Sequence, residues 1–243
     1  MQDRYAGDIG DYGKFILLRK LSEKFRIGIN WYDPGELEFE RDKNGSFKQE
    51  DGKYRDLTGY ENYAPDIAEA FEKMKEKHSI KMLEKLDLIK NAVYYNKLMP
   101  RENEKREKWH NAAMKNLEKS EIVFLDPDNG LLCRSVRKGA AKSVKYTYYS
   151  EVNDYLKEHK AVIIYNHRSR KKESDYFNEI LSKLCEETEA ERDLIQVVTF
   201  RRFSVRDYFI ISKDVYTHEA IRELIASLLK CSNNKPFFYH TEL

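Results

Sequence analysis

Glu121-Ile122-Val123-Phe124-Leu125-Asp126-Pro127-Asp128-Asn129-Gly130 is the stretch on which the fold turns. Its unbroken apolar run has no polar alternation, which predicts a strand covered on both faces, the mark of a central strand in a parallel sheet. The run ends in a carboxylate, at the edge where open α/β sheets diverge into loops and bind ligands. Asp-Pro-Asp-Asn-Gly is also strong turn chemistry. A turn, however, needs no aspartate on both sides of its proline, so Asp126, Asp128 and Asn129 are read as the centre of a working site.

Working outward, Ala161 to Tyr165 repeats the apolar run and ends at Asn166-His167. Ile27 to Tyr32 is a shorter run closing at Asp33-Pro34-Gly35, and Ala92 to Tyr95 is a further strand. Helices lie between these runs. Phe15, Leu18, Leu21 and Phe25 recur at helical spacing and predict a helix from Asp11 to Phe25, with Asp11 as N-cap. Pro65 opens a second helix through Ile67, Ala68, Phe71 and Met74, and Met82 to Ile89, Glu102 to Lys119, Glu151 to Lys157 and Ser174 to Glu187 follow. Leu194 to Phe200 and Asp207 to Ser212, joined only by Arg201 to Arg206, predict an antiparallel pair. The alternation predicts one α/β domain over residues 1–243. Its sheet is Rossmann-like and mostly parallel, with helices on both faces and a C-terminal antiparallel hairpin. Residues 36–62 are highly charged and carry the turn signals Asn44-Gly45 and Asp51-Gly52, which predicts an inserted hairpin or loop.

Composition narrows the function classes. With 44 Lys and Arg against 42 Asp and Glu, the formal charge is +2, so attraction to nucleic acid needs a local basic rim rather than bulk charge. Cys133, Cys185 and Cys231 form no C-x-x-C pair and read as inert thiols rather than a zinc site or disulfide framework. No apolar run reaches the roughly 18 residues of a membrane span. The opening Met-Gln-Asp-Arg-Tyr-Ala-Gly-Asp lacks a basic leader before an apolar stretch, and a cytoplasmic protein is expected.

Two stretches carry a resemblance. Tyr5-Ala6-Gly7-Asp8-Ile9-Gly10-Asp11-Tyr12-Gly13-Lys14 is similar to the H-A-G-N-x-A-D-x-x-K opening of bacterial ribosomal-RNA adenine-N6 methyltransferases, with matches at Ala6, Gly7, Asp11 and Lys14. Asp126-Pro127-Asp128-Asn129 resembles their D-P-P-Y, in which the carboxylate and a proline carbonyl accept the exocyclic amine and the aromatic ring stacks on the flipped base. The arrangement also resembles that of bacterial three-Cys-motif partner proteins. The resemblance implies a class I methyltransferase-type sheet and S-adenosylmethionine as cofactor, held by Asp8, Asp11, Asp33 and Gly35. It implies Asp126, Asp128, Asn129 and Lys14 as catalytic residues. Two departures are chemical. Asp128 and Asn129 replace the second proline and the aromatic, and Tyr32-Asp33-Pro34-Gly35-Glu36 is not a glycine-rich cofactor turn.

The remaining candidates are basic. His167, Arg168 and Arg170 follow a strand end on the same sheet edge as Asp126, and Arg201, Arg202 and Arg206 lie near the hairpin turn. Together they form a candidate phosphate rim. Lys14 in the first turns of a helix opposes the dipole and so asks for a partner, a carboxylate or a bound anion. Tyr146, Tyr148 and Tyr149 are either the missing stacking surface or core. Three functions stay open: a nucleic-acid methyltransferase or diverged relative, a magnesium- or manganese-dependent nuclease or phosphoesterase using Asp8, Asp11, Asp126 and Asp128, and a non-catalytic binding module.

Overall fold

Apolar runs become strands where neighbours complete their backbone hydrogen bonds. The computed structural model describes residues 1–37, 40–41, 43–46, 56–74, 78–230 and 238–241. Its strands are β1 (Ile27–Asn30), β2 (Val93–Tyr95), β3 (Ile122–Leu125), β4 (Gly130–Leu131), β5 (Tyr146–Thr147), β6 (Ala161–His167), β7 (Ile195–Arg202), β8 (Ser204–Ser212) and β9 (Phe238–Thr241). The helices are α1 (Ile9–Leu21), α2 (Pro65–Glu72), α3 (Ile80–Lys85), α4 (Asn103–Leu117), α5 (Tyr149–Glu158), α6 (Glu173–Glu187) and α7 (Val215–Lys230).

The protein is α/β, with a Rossmann-like seven-stranded sheet in the order β2-β1-β3-β6-β8-β7-β9. β2, β1, β3 and β6 are mutually parallel, β8 runs antiparallel to both β6 and β7, and β9 runs antiparallel to β7. Five of the seven strands therefore share one direction, and β8 is wedged between two of them. β4 and β5 make a separate parallel pair beside the sheet edge.

Alternation along the strands builds two cores. Ile27, Ile29, Ile122, Phe124, Ala161, Ile163, Phe200 and Tyr208 point to the face covered by α1, α2, α3 and α7. Val123, Leu125, Val162, Ile164, Val197, Phe209 and Ile211 point to the opposite face, against α4, α5 and α6. Burial on both faces is why β3 and β6 read as unbroken apolar runs.

Three local readings are corrected. Asp8, not Asp11, is the N-cap of α1: its backbone is extended and its carboxylate accepts the Asp11 N–H at 2.8 Å. The link between the hairpin strands is shorter than Arg201–Arg206, because Phe203 alone separates β7 from β8. The spacing of Ile221, Leu224, Ile225 and Leu228 belongs to α7, which the sequence reading passed over. Of the segment 36–62, residues 38–39, 42 and 47–55, with the Asp51-Gly52 turn signal, lie outside the described residues, as does Cys231. No helix among the described residues is long and apolar enough to cross a membrane.

Candidate functional site

The two motifs quoted from the sequence meet in space. Lys14 Nζ, on α1, lies 2.7 Å from Asp11 Oδ1 and 2.7 Å from Asp126 Oδ2, just past the end of β3. All three side chains are buried. Burial lowers an ammonium pKa, but the two carboxylates outweigh it and raise that of Lys14, so it stays charged. Asp126 has its carboxyl pushed up by burial, with Lys14 opposing. The partner that the unfavourable helix position of Lys14 called for is therefore a pair of carboxylates.

Local capping holds the α1 end of this arrangement. Asp8 Oδ1 accepts from Asp11 N, and Asp11 Oδ2 accepts from Gly7 N at 2.9 Å, so Asp11 has both oxygens engaged. Asp8 Oδ2 faces Arg206 Nη2 at 3.8 Å. Burial first, and the negative charge of Asp11 next, push the Asp8 carboxyl up to about 6, while Arg206 opposes. Gly13 lets α1 lie on the sheet: a Cβ there would sit 2.5 Å from the Phe200 ring.

Arg206, on β8, donates through Nε to Tyr165 Oη at 3.2 Å, and Tyr165 Oη is 2.8 Å from His167 Nε2. Burial, then the cations Arg206 and Lys14, push the His167 pKa below its usual value. Arg206, the tyrosine hydroxyl and the His167 imidazole thus form one hydrogen-bonded chain. Burial pushes the Tyr165 hydroxyl up to about 12, which keeps it a donor.

These groups line a cavity of about 310 Å³ with Met1, Tyr5, Gly10, Pro127, Asp128, Asn129, Lys145 and Ser204. Asp128 Oδ2 accepts from Gln2 Nε2 at 2.6 Å and lies 3.6 Å from Lys145 Nζ, itself paired with Glu40. Asn129 is fixed by its backbone, with N donating to Lys145 O and O accepting from His167 N. Gly130 follows with φ +116°, and a Cβ there would fall 1.9 Å from Asn166 Oδ1. Asp126, Asp128, Asn129, Lys14, Asp8, Asp11 and His167 are thus gathered at one cavity.

Other sequence candidates are placed elsewhere. Asp33 Oδ1 caps its own turn at Gly35 N, and neither residue lines the cavity. Arg168 is held by Asp207 in a two-pronged pair at 2.9 and 2.6 Å and by Glu173. Arg201 pairs with Glu173 at 3.2 Å, Arg202 lies over the Tyr60 and Phe203 rings, and Arg170 is exposed. The lysine and arginine lining of the cavity is therefore Lys14, Lys145 and Arg206 rather than the rim expected. Tyr148 and Tyr149 are buried, and the rings that line the cavity are Tyr5 and Tyr165. Tyr5, Lys145, Tyr165 and Ser204 were not read from the sequence. Tyr165 alone carried a signal, as the polar-tipped aromatic at the end of an apolar strand.

Neither implied cofactor fits the residues present. The strand order reverses between β1 and β3, where a dinucleotide-type or S-adenosylmethionine cofactor belongs. Met1 lies beside that crevice, its nitrogen hydrogen-bonded to Trp31 O, to Tyr32 O at 3.2 Å and to Asp126 O at 2.9 Å. The turn after β1 buries the Trp31 and Tyr32 rings instead of offering glycines. For a metal ion, Lys14 already stands between Asp11 and Asp126, and Asp128 is turned to Gln2 and Lys145. No group of three or more metal-ligating side chains assembles among the described residues.

No protein-family model matches the chain, and no curated protein matches it significantly.

Proposed function

We propose that the chain is a diverged methyltransferase-like protein acting on nucleic acid, and that its cavity receives an unpaired, amine-bearing nucleobase. The observation that carries the reading is the Asp126 carboxylate. Its Oδ2 is tied to Lys14, while Oδ1 accepts no hydrogen bond among the described residues, in a cavity lined by the Tyr5 and Tyr165 rings. A fixed carboxylate oxygen beside aromatic faces suits an exocyclic amine on a planar base, because each flipped base is read by edge hydrogen bonds and held by stacking. The resemblance of the two motifs, now joined through Lys14 and Asp126, supports the same reading. S-adenosylmethionine takes no part in it, since the turn after β1 buries Trp31 and Tyr32 instead of offering glycines.

The test is binding of short single-stranded oligodeoxyadenylate and oligothymidylate, followed by fluorescence anisotropy, together with calorimetric titration of S-adenosylmethionine alone. The expected result is a preference for the amine-bearing oligomer, weakened about tenfold or more by Asp126→Asn, the scale of a lost hydrogen bond to a charged group. Equal affinity for the two oligomers, or none for either, refutes the nucleobase reading. Saturable micromolar binding of S-adenosylmethionine refutes its separation from the cofactor.

A further inference from the structure

Phe203 is where a glycine belongs. It alone joins β7 to β8, with Arg202 and Ser204 directly opposite one another, and its φ is +58°. A bulky side chain rarely adopts that region, and residues held there point to a function that outweighs the strain. The ring gains little burial in return, since Phe203 is 46% exposed. The other exposed large apolar residues among those described, Leu98, Val215, Tyr216 and Tyr239, do not line the cavity, whereas Phe203 directly precedes Ser204 and lies three residues before Arg206, which both line it.

The flanking residues indicate what the ring meets. The Arg202 guanidinium lies 4.3 Å from the Phe203 ring centroid and 4.7 Å from that of Tyr60, so the cation meets two rings at the hairpin apex. Arg202 Nε is buried and has no hydrogen-bond partner among the described residues. Arg201, on the other side of the apex residue pair, carries a second guanidinium. Planar groups with positive charge beside a nucleobase-sized cavity match the makings of a single-strand platform, in which bases stack on aromatics and arginines meet the backbone.

We infer that the β7–β8 apex is a stacking finger for single-stranded nucleic acid: Phe203 stacks on the nucleotide adjacent to the one whose base enters the cavity, while Arg201 and Arg202 face its phosphates. This rests on the nucleobase reading of the cavity, so the experiment must separate the two. A mononucleotide reaches only the cavity, whereas an oligomer spans cavity and apex.

The experiment measures affinity for deoxyadenosine monophosphate and for a short single-stranded oligodeoxyadenylate, using wild type, Phe203→Gly and Phe203→Trp. Glycine suits a positive φ, so Phe203→Gly removes the ring without endangering the fold. The expected result is that Phe203→Gly weakens the oligomer about tenfold, within the range for one lost base–aromatic stack. Mononucleotide affinity should not change, and Phe203→Trp should bind the oligomer at least as well as wild type. Unchanged oligomer affinity in Phe203→Gly overturns the finger and leaves the cavity reading standing. Equal weakening of both ligands also overturns it, because the apex then only shapes the cavity. Failure of the wild type to bind either ligand overturns the cavity reading, and the finger with it.

Discussion

Replacing Lys14 by methionine removes a charge and keeps most of the side-chain volume, so it isolates the electrostatic part of the Asp11–Lys14–Asp126 cluster. Both carboxylates are buried, and each loses a 2.7 Å cationic partner. Breaking a buried pair by removing one member typically costs about 3–5 kcal/mol, because the remaining charge is left desolvated. Here two charges are left, which places the loss near the top of that range at neutral pH. The pH dependence identifies the cause. Burial already pushes the Asp126 carboxyl up with Lys14 opposing, so removing Lys14 raises it further. A carboxyl whose folded pKa exceeds its unfolded value favours the folded state at low pH and loses that contribution as pH rises through the folded pKa. The Lys14→Met deficit should therefore be small near pH 4.5 and full near pH 7.5. Urea unfolding at both pH values, wild type beside variant, reads this directly. About 4 kcal/mol at the higher pH corresponds to a fall of roughly 10 °C in Tm for a chain of this size. An equal deficit at both pH values would show that lost packing, not stranded charge, is responsible and would refute the argument.

Two further substitutions test the scaffold. Gly130→Ala forces a Cβ onto the Asn166 side chain and backbone at a positive φ, and is expected to cost about 3 kcal/mol or more in denaturant unfolding. Glu151 makes a buried two-pronged pair with Arg106, at 2.6 and 2.9 Å, and its pKa is lowered by that partner against the cost of burial. A depressed folded pKa contributes stability that is present above the unfolded value and lost as pH falls through the folded one. Glu151→Gln should thus be destabilised by about 3–5 kcal/mol at pH 7 and converge on wild type in acid, as thermal melts across pH would reveal.

What the sequence disclosed was chemistry that local patterns state outright. The unbroken run into Asp126 placed a central strand and the site at its end, and the awkward helix position of Lys14 announced a partner before any partner was visible. Register was not legible. β6 pairs with β8 so that Asn166 faces Asp207 and His167 faces Arg206. That pairing gives Asp207 to Arg168 and takes Arg168 out of the expected rim, while it brings Arg206 to Tyr165. Nothing local to the His167–Lys172 basic run reports which carboxylate lies across the sheet. Lys145 and Tyr5 arrive by the same kind of long-range closure, one from the segment entering β5 and the other from the turn before α1.

The charges of the cavity are matched in pairs: Asp8 faces Arg206, Asp11 and Asp126 share Lys14, and Asp128 meets Lys145 and the Met1 ammonium at 3.5 Å. A site built to hold a bare phosphate leaves its cations unmatched, because the counterion released on binding supplies much of the affinity. Matched pairs instead leave a nearly neutral, partly desolvated chamber in which Asp126 Oδ1, like Asp8 Oδ2 and Asp128 Oδ1, accepts no hydrogen bond among the described residues. Such a chamber rewards an uncharged planar ligand that donates a hydrogen bond, and it does so with little dependence on salt. Arg201, exposed and paired with Glu173, and the half-buried Arg202 stand outside it, at the β7–β8 apex. If the cavity and the apex act as proposed, recognition of a polynucleotide divides physically between a salt-insensitive base pocket and a salt-sensitive apex. Varying salt concentration should shift oligomer affinity far more than mononucleotide affinity; the same steep slope for both would mean that the cavity reads phosphate, and the assignment of Asp126 to an amine would fall.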